Sequence, residues 1–258
     1  MTVSAFVLAS AAAMIQVAGA QIAPLPVDTT HATAARPMRA RFIVAPYGWM
    51  TGISGETGVG DLSANVDISF SELLSHLKFG AMGSFEAGYG HWLGVLDGIY
   101  ASVGADRQLS RGRVQPELDL TTKMLIAQAF AGYSVSPGPG IMVDILAGAR
   151  LWAVDASLAV STDVANRTRS RSPTWADALG GARVRWVVSP KWQVSLAGDG
   201  GAGGSKGTGE GIATAAYDVS RYWSLFASYR YLYEHYEKGD YFFIGHMAGP
   251  AIGGAYHW

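Results

Sequence analysis

Charge in this chain sits at alternate positions of otherwise apolar segments: Glu86, Asp97, Asp144, Arg150, Asp177, Arg183, Arg185, Asp199, Arg230 and Glu234. Acids and bases held to one face of an extended segment imply that the opposite face cannot tolerate charge. Two chemistries suit such a set. Rings of charge around a polar interior can form a selective ion path. Alternatively, in a narrow interior, the acids and bases neutralise one another and close it, because a buried charge persists only when paired. Trp152 and Trp175 fall in the same register as the charges, which favours a filled interior.

Hydrolytic chemistry needs a different arrangement. A serine–histidine–acid set, or paired carboxylates with a histidine to activate water, must converge at one place. The histidines are His31, His76, His91, His235, His246 and His257, and the densest local cluster is Tyr233-Glu234-His235-Tyr236-Glu237-Lys238-Gly239-Asp240. Neighbouring Glu234 and His235 point to opposite faces of a strand, so this stretch reads as a solvated hairpin tip. The run from Gly198 to Gly209 lacks the Gly-x4-Gly-Lys-Ser/Thr spacing of a phosphate loop, and its flanks read as strands. Its glycines fit relief of crowding in a curved wall. No metal-ligand spacing is present, and the absence of cysteine excludes thiolate sites and disulfides. The expectation is therefore no catalytic residue, no cofactor and no metal.

Strands must position the charges. Candidate strands occupy approximately residues 41–52, 77–88, 92–105, 115–135, 140–160, 173–188, 192–203, 208–219, 223–236 and 240–258. Tight joints at Tyr89-Gly90-His91, Pro137-Gly138-Pro139, Ser189-Pro190-Lys191 and Ser220-Arg221-Tyr222 alternate with more varied ones near 53–76, 106–114, 161–172, 204–207 and 237–239. Three tight joints run straight into Trp92, Trp192 and Trp223, as when indoles anchor a hairpin at a lipid–water interface. In 173–188, Thr174, Ala176, Ala178, Gly180, Ala182, Val184, Trp186 and Val188 form an uncharged face, and Asp177, Arg183 and Arg185 lie opposite. A water-soluble barrel or sandwich would put bulky packed residues, not so many Ala and Gly, in the apolar register. The pattern predicts an all-β, closed, antiparallel up-and-down transmembrane barrel of about ten strands, with eight or twelve as alternatives. The final strand ends on Tyr256, His257 and Trp258, so Trp92, Trp192, Trp223, Tyr256 and Trp258 are read as one interfacial girdle. In the first long joint, Ser69 precedes a short helical pattern through Leu77 that plugs the mouth or lies across the rim; alternatively residues 63–69 extend the first strand as a hairpin.

Composition agrees. Of 258 residues, 33 are glycine, aromatics reach 11% and charged residues only 15%. A formal charge of −1 argues against nucleic acid as partner. Residues 1–20 read as a signal peptide, with an apolar run over 5–20 and a small-residue cleavage site at Ala18-Gly19-Ala20, although Met1–Ser4 carries no Lys or Arg. Residues 21–40, rich in proline and small polar residues, read as a disordered periplasmic lead-in to a barrel over 41–258. No other stretch approaches the ~18–20 apolar residues of a membrane helix.

With these features assembled, the region resembles the small outer-membrane β-barrel proteins of Gram-negative bacteria. Pro46-Tyr47-Gly48-Trp49, Val66 through Leu74, Phe85-Glu86-Ala87 and Asp97-Gly98-Ile99-Tyr100 resemble a group of uncharacterised proteobacterial barrel proteins. The resemblance implies fold and location and supplies no catalytic residues. The expected protein is a monomeric barrel with both termini periplasmic. Its partners are outer-membrane lipid, lipopolysaccharide and, through the C-terminal strand, the barrel-assembly machinery. Its role is structural or surface-interacting, with a narrow channel for ions or small solutes as the alternative and a rim enzyme acting on lipid or peptide third.

Overall fold

A computed structural model describes residues 40–59, 62–108, 117–162 and 165–258. The leader and nearly all of the lead-in lie outside the described residues, as does part of the joint near 106–114.

Ten antiparallel staves form a closed barrel. In order around the wall they are β1 (Ala40–Trp49), β4 (Leu77–Tyr89), β5 (Trp92–Gln108), β6 (Glu117–Gly138), β7 (Ile141–Thr162), β9 (Thr174–Ser189), β10 (Trp192–Gly203), β11 (Gly207–Asp218), β12 (Trp223–Lys238) and β13 (Tyr241–His257). Closure is made by β1 against β13, with Val44 opposite Tyr256 and Gly48 opposite Ile252. Phe42 and Trp258 exchange backbone bonds of 3.1 and 3.2 Å at the end of that seam. Pairing the first strand with the last leaves the closed wall without a free edge, which is how backbone groups are satisfied where no water reaches them.

The two ends of the barrel differ. At the turn end, β4–β5 and β7's entry are tight turns in which Gly90 (φ 61°) and Gly140 (φ 69°) adopt the left-handed backbone that favours glycine. The turn before β7 falls at Pro139-Gly140, because β6 runs on through Gly138. Residues 219–222 close the β11–β12 joint, where Ser220 Oγ accepts from the amides of Tyr222 and Trp223 at 3.2 and 3.1 Å.

At the loop end the wall rises unevenly. The first long connection contains both a hairpin and a helix. Strand β2 (Gly52–Val59) continues past β1 along the β13 edge, pairing Gly52 with Ala248 and Val59 with Tyr241, and β3 (Leu62–Ile68) folds back on it. Helix α1 (Phe70–Ser75) follows, capped by Ser69, whose hydroxyl accepts from the Glu72 amide at 3.3 Å. Its Leu73 is buried among Trp49, Ile53 and Val66 inside the loop end. Strand β8 (Ala165–Arg171) extends the wall beside β7.

Burial follows the alternation. Along β9, Trp175, Asp177, Leu179, Arg183 and Arg185 are buried, while Ala176, Ala178, Gly180, Ala182, Val184, Trp186 and Val188 are exposed. The core is therefore the barrel interior. A Cβ on Gly201 would stand 1.8 Å from the Ala178 carbonyl oxygen, so this glycine in the 198–209 run permits close approach of β10 to β9.

Candidate functional site

The interior is built in layers. Toward the turn end, Arg183 and Arg185 stand two residues apart on β9 and therefore point the same way. Asp144 lies opposite Arg183 on β7, and Glu86 reaches over from β4 on the far side of the wall. Arg183 donates to Asp144 at 2.6 Å and to both oxygens of Glu86 at 2.9 and 3.2 Å. Arg185 donates to Asp144 at 2.8 Å, and the Ser134 hydroxyl donates to the same carboxylate at 2.5 Å. Two guanidiniums meet two carboxylates, so the layer is neutral.

The middle layer is centred on Arg150. Its Nη2 donates to Asp199 at 2.8 Å and Glu210 at 3.2 Å, its Nη1 to the Thr208 hydroxyl at 2.6 Å, and its Nε and Nη2 to the Gln128 carbonyl at 3.1 and 2.8 Å. Arg230 pairs with the other oxygen of Glu210 and lies over the Trp49 ring, 5.1 Å from its centroid. Asp97 accepts from the Tyr47 hydroxyl at 3.3 Å. Stripping water from each of these ions costs several kcal/mol, a cost offset only where donors and acceptors are matched this closely.

The loop-end layer is aromatic. Trp152 and Trp175 stack with centroids 5.4 Å apart, and Trp175 stacks on Tyr236 at 4.0 Å. The Trp175 indole donates to Glu234 at 3.0 Å, and Asp177 accepts from the Ser205 amide at 2.8 Å.

All ten charged residues singled out in the sequence lie on the inner face, and Glu86, Asp144, Arg150, Arg183, Arg185, Asp199 and Arg230 are joined in ion pairs. Asp97 accepts from Tyr47, Asp177 from the Ser205 amide and Glu234 from the Trp175 indole. Glu210, which holds both Arg150 and Arg230, was not among the ten. Its signal is the inward row Thr208, Glu210, Ile212, Thr214 and Ala216, set against Gly207, Gly209, Gly211, Ala213 and Ala215.

Around the turn end, Trp92, Trp192, Trp223 and Trp258 are about half exposed. Tyr256 links Trp223 (5.0 Å) to Trp258 (5.6 Å), Trp92 meets Tyr133 edge-on at 5.1 Å, and Trp192 lies 5.2 Å from Tyr217. Trp186 belongs to the same exposed set.

No hydrolytic geometry forms among the described residues. His235 pairs with Glu237 at 2.7 Å on the outer face, while Glu234 points inward. At the turn end the Ser224 hydroxyl donates to Asp218 at 2.5 Å, so His257 Nε2, 2.8 Å away, must be the donor to that oxygen. A histidine that donates to serine cannot take its proton. Among the described residues no three His, Asp or Glu side chains converge as metal ligands. A concavity of about 700 Å³ is bordered by Val44, Phe85, Leu96 and Leu151 of the outer face and by Asp97, Gln128 and Arg150 of the inner register.

A closed wall, an outer face whose charges, such as Lys123, Asp155 and Glu237, lie toward the loop end, and a charged, side-chain-filled interior define a transmembrane-type up-and-down β-barrel. Solved structures similar to this chain include the translocator domain of the autotransporter NalP from Neisseria meningitidis (13% identity, 88% of this chain and 90% of that one, TM-score 0.43). Also similar are Ail, the attachment invasion locus protein of Yersinia pestis (12%, 85% and 98%, TM-score 0.37), and the CymD monoaromatic hydrocarbon channel (12%, 85% and 88%, TM-score 0.36). No family model and no curated protein matches the chain.

Proposed function

We propose that the protein is an integral barrel of the bacterial outer membrane with a structural or surface-interaction role and no catalysis. On this reading the turn end, with both termini, faces the periplasm, the loop end faces outward, and the chain works as a monomer among outer-membrane lipid and lipopolysaccharide. The C-terminal strand is the part offered to the assembly machinery. Membership of the uncharacterised proteobacterial barrel group belongs to the same reading and rests on Pro46–Trp49, Val66–Leu74, Phe85–Ala87 and Asp97–Tyr100.

The observation that carries it is the filled lumen. Arg183 bridges from β9 to Glu86 on β4, Arg150 from β7 to Glu210 on β11, and Trp175 from β9 to Glu234 on β12, so side chains span the bore at three levels. A permeation path needs polar groups with water between them, whereas Arg150, Asp144 and Arg185 are wholly buried. The refolded protein in a planar bilayer is expected to give no steady unitary current steps. Reproducible steps of one size would overturn the closed-lumen role in favour of a narrow channel.

A further inference from the structure

The barrel wall is low where β10 meets β11. Only Gly204-Ser205-Lys206 joins them, while β12 beyond its pairing with Gly207 and β9 before its pairing with Gly203 both continue upward. The turn is tied on both flanks, by Gly204 N to the Ala176 carbonyl at 2.8 Å and by Lys206 N to the His235 carbonyl at 2.7 Å. Asp177 stands opposite Gly203 and Glu234 opposite Thr208, so two inward carboxylates flank this notch.

Neither acid has a cationic partner among the described residues. Arg150 is opposite Asp177 in the sheet, but its donors go to Gln128, Thr208, Asp199 and Glu210. The Thr208 hydroxyl beside Glu234 donates to the Tyr233 carbonyl at 3.2 Å. Asp177 Oδ2 and Glu234 Oε2, on residues 1% exposed, therefore meet no donor. The third group is independent of the acids: Ser205 is 6% exposed between exposed Gly204 and Lys206, and its Oγ has no hydrogen-bond partner. Its amide on Asp177 holds it against that carboxylate. Two buried carboxylates and a buried hydroxyl beneath an exposed turn each keep an oxygen without a hydrogen-bond partner, and hard oxygen donors suit a hard divalent cation.

We propose that the notch binds a calcium-type divalent cation, held by Asp177 and Glu234 with the Ser205 hydroxyl, its remaining positions taken by water. The ion balances the two acids and ties β9, the β10–β11 turn and β12 together at the rim. This goes beyond the proposed role and stands whether or not the lumen conducts.

The test uses the refolded full chain in detergent, stripped with chelator and then given calcium chloride. Calcium is expected to raise the temperature at which the folded gel band converts to the unfolded one by about 5 °C. Terbium is expected to luminesce on indole excitation, with calcium displacing it, because the Trp175 indole touches Glu234. The paired change Asp177→Asn with Glu234→Gln should abolish both signals. Glu237→Gln, at an exposed rim acid, should keep both. Should the paired variant fail to fold, Ser205→Ala replaces it and should weaken terbium binding about tenfold. The site is refuted by a wild-type midpoint that calcium does not move, by signals that survive in the paired variant, or by equal loss in Glu237→Gln.

Discussion

Arg183→Ala is expected to destabilise the refolded barrel by about 3–5 kcal/mol, read from the urea midpoint of the unfolding transition. The guanidinium is 1% exposed and satisfies Asp144 and both oxygens of Glu86. Alanine leaves Glu86 with only Arg185, at 4.0 Å, and gives Asp144 one guanidinium in place of two. The penalty is that of a stranded charge, so removing the charge should recover much of it. Arg183→Met combined with Glu86→Leu leaves Arg185 paired with Asp144 and fills the vacated volume, and should be less destabilising than Arg183→Ala alone. If the double change is worse than the single one, Glu86 is not held by Arg183.

Leu196→Arg is expected to cost about 2–4 kcal/mol and to lower the folded fraction on unboiled detergent gels. Leu196 is 66% exposed on the outer face, flanked by Val184 and Ala213. In water such a residue would accept arginine readily. In lipid the guanidinium has no solvent and must reach for the interface. Val184→Arg should behave alike. Asp199→Asn, on the opposite face of the same strand, should be milder, about 1–2 kcal/mol, because Arg150 keeps Glu210, Gln128 and Thr208 and the new amide still accepts. Equal tolerance at all three positions would contradict the assignment of faces.

The staves are legible in the sequence because lipid punishes charge on one face and leaves the other free, so alternation carries a sign as well as a period. Along β9 and β12 every charge between the ends falls in one register. Strand β11 hides its acid for a related reason: its outer face is glycine and alanine, too small to contrast with Thr208 and Thr214, so Glu210 does not stand out. The pairings themselves are not legible. Period two tells which face a residue takes but not its height or its angle around the bore, and Glu86 meets Arg183 from 97 residues away. Ser69 marks its helix locally through its cap, whereas the β2–β3 hairpin owes its place to the loop-end half of β13, a partner almost two hundred residues distant. The hairpin and the helix therefore read as alternatives in sequence, although each uses a separate part of the same connection.

Closure between the first and last staves is the claim on which the buried charges and the outer face both depend. The chain has no cysteine, so a single introduced pair can report it. Gly48 and Ile252 are opposite one another on the outer face; a side chain at Gly48 meets nothing within 4 Å, and Ile252 is 58% exposed. Gly48→Cys with Ile252→Cys, refolded, oxidised, boiled and run without reductant, should give a cross-linked band that a thiol reductant abolishes. Failure of the folded protein to cross-link both in this pair and in the register-shifted pair Gly48→Cys with Ala248→Cys would contradict closure, whereas linkage in the shifted pair alone would contradict the register.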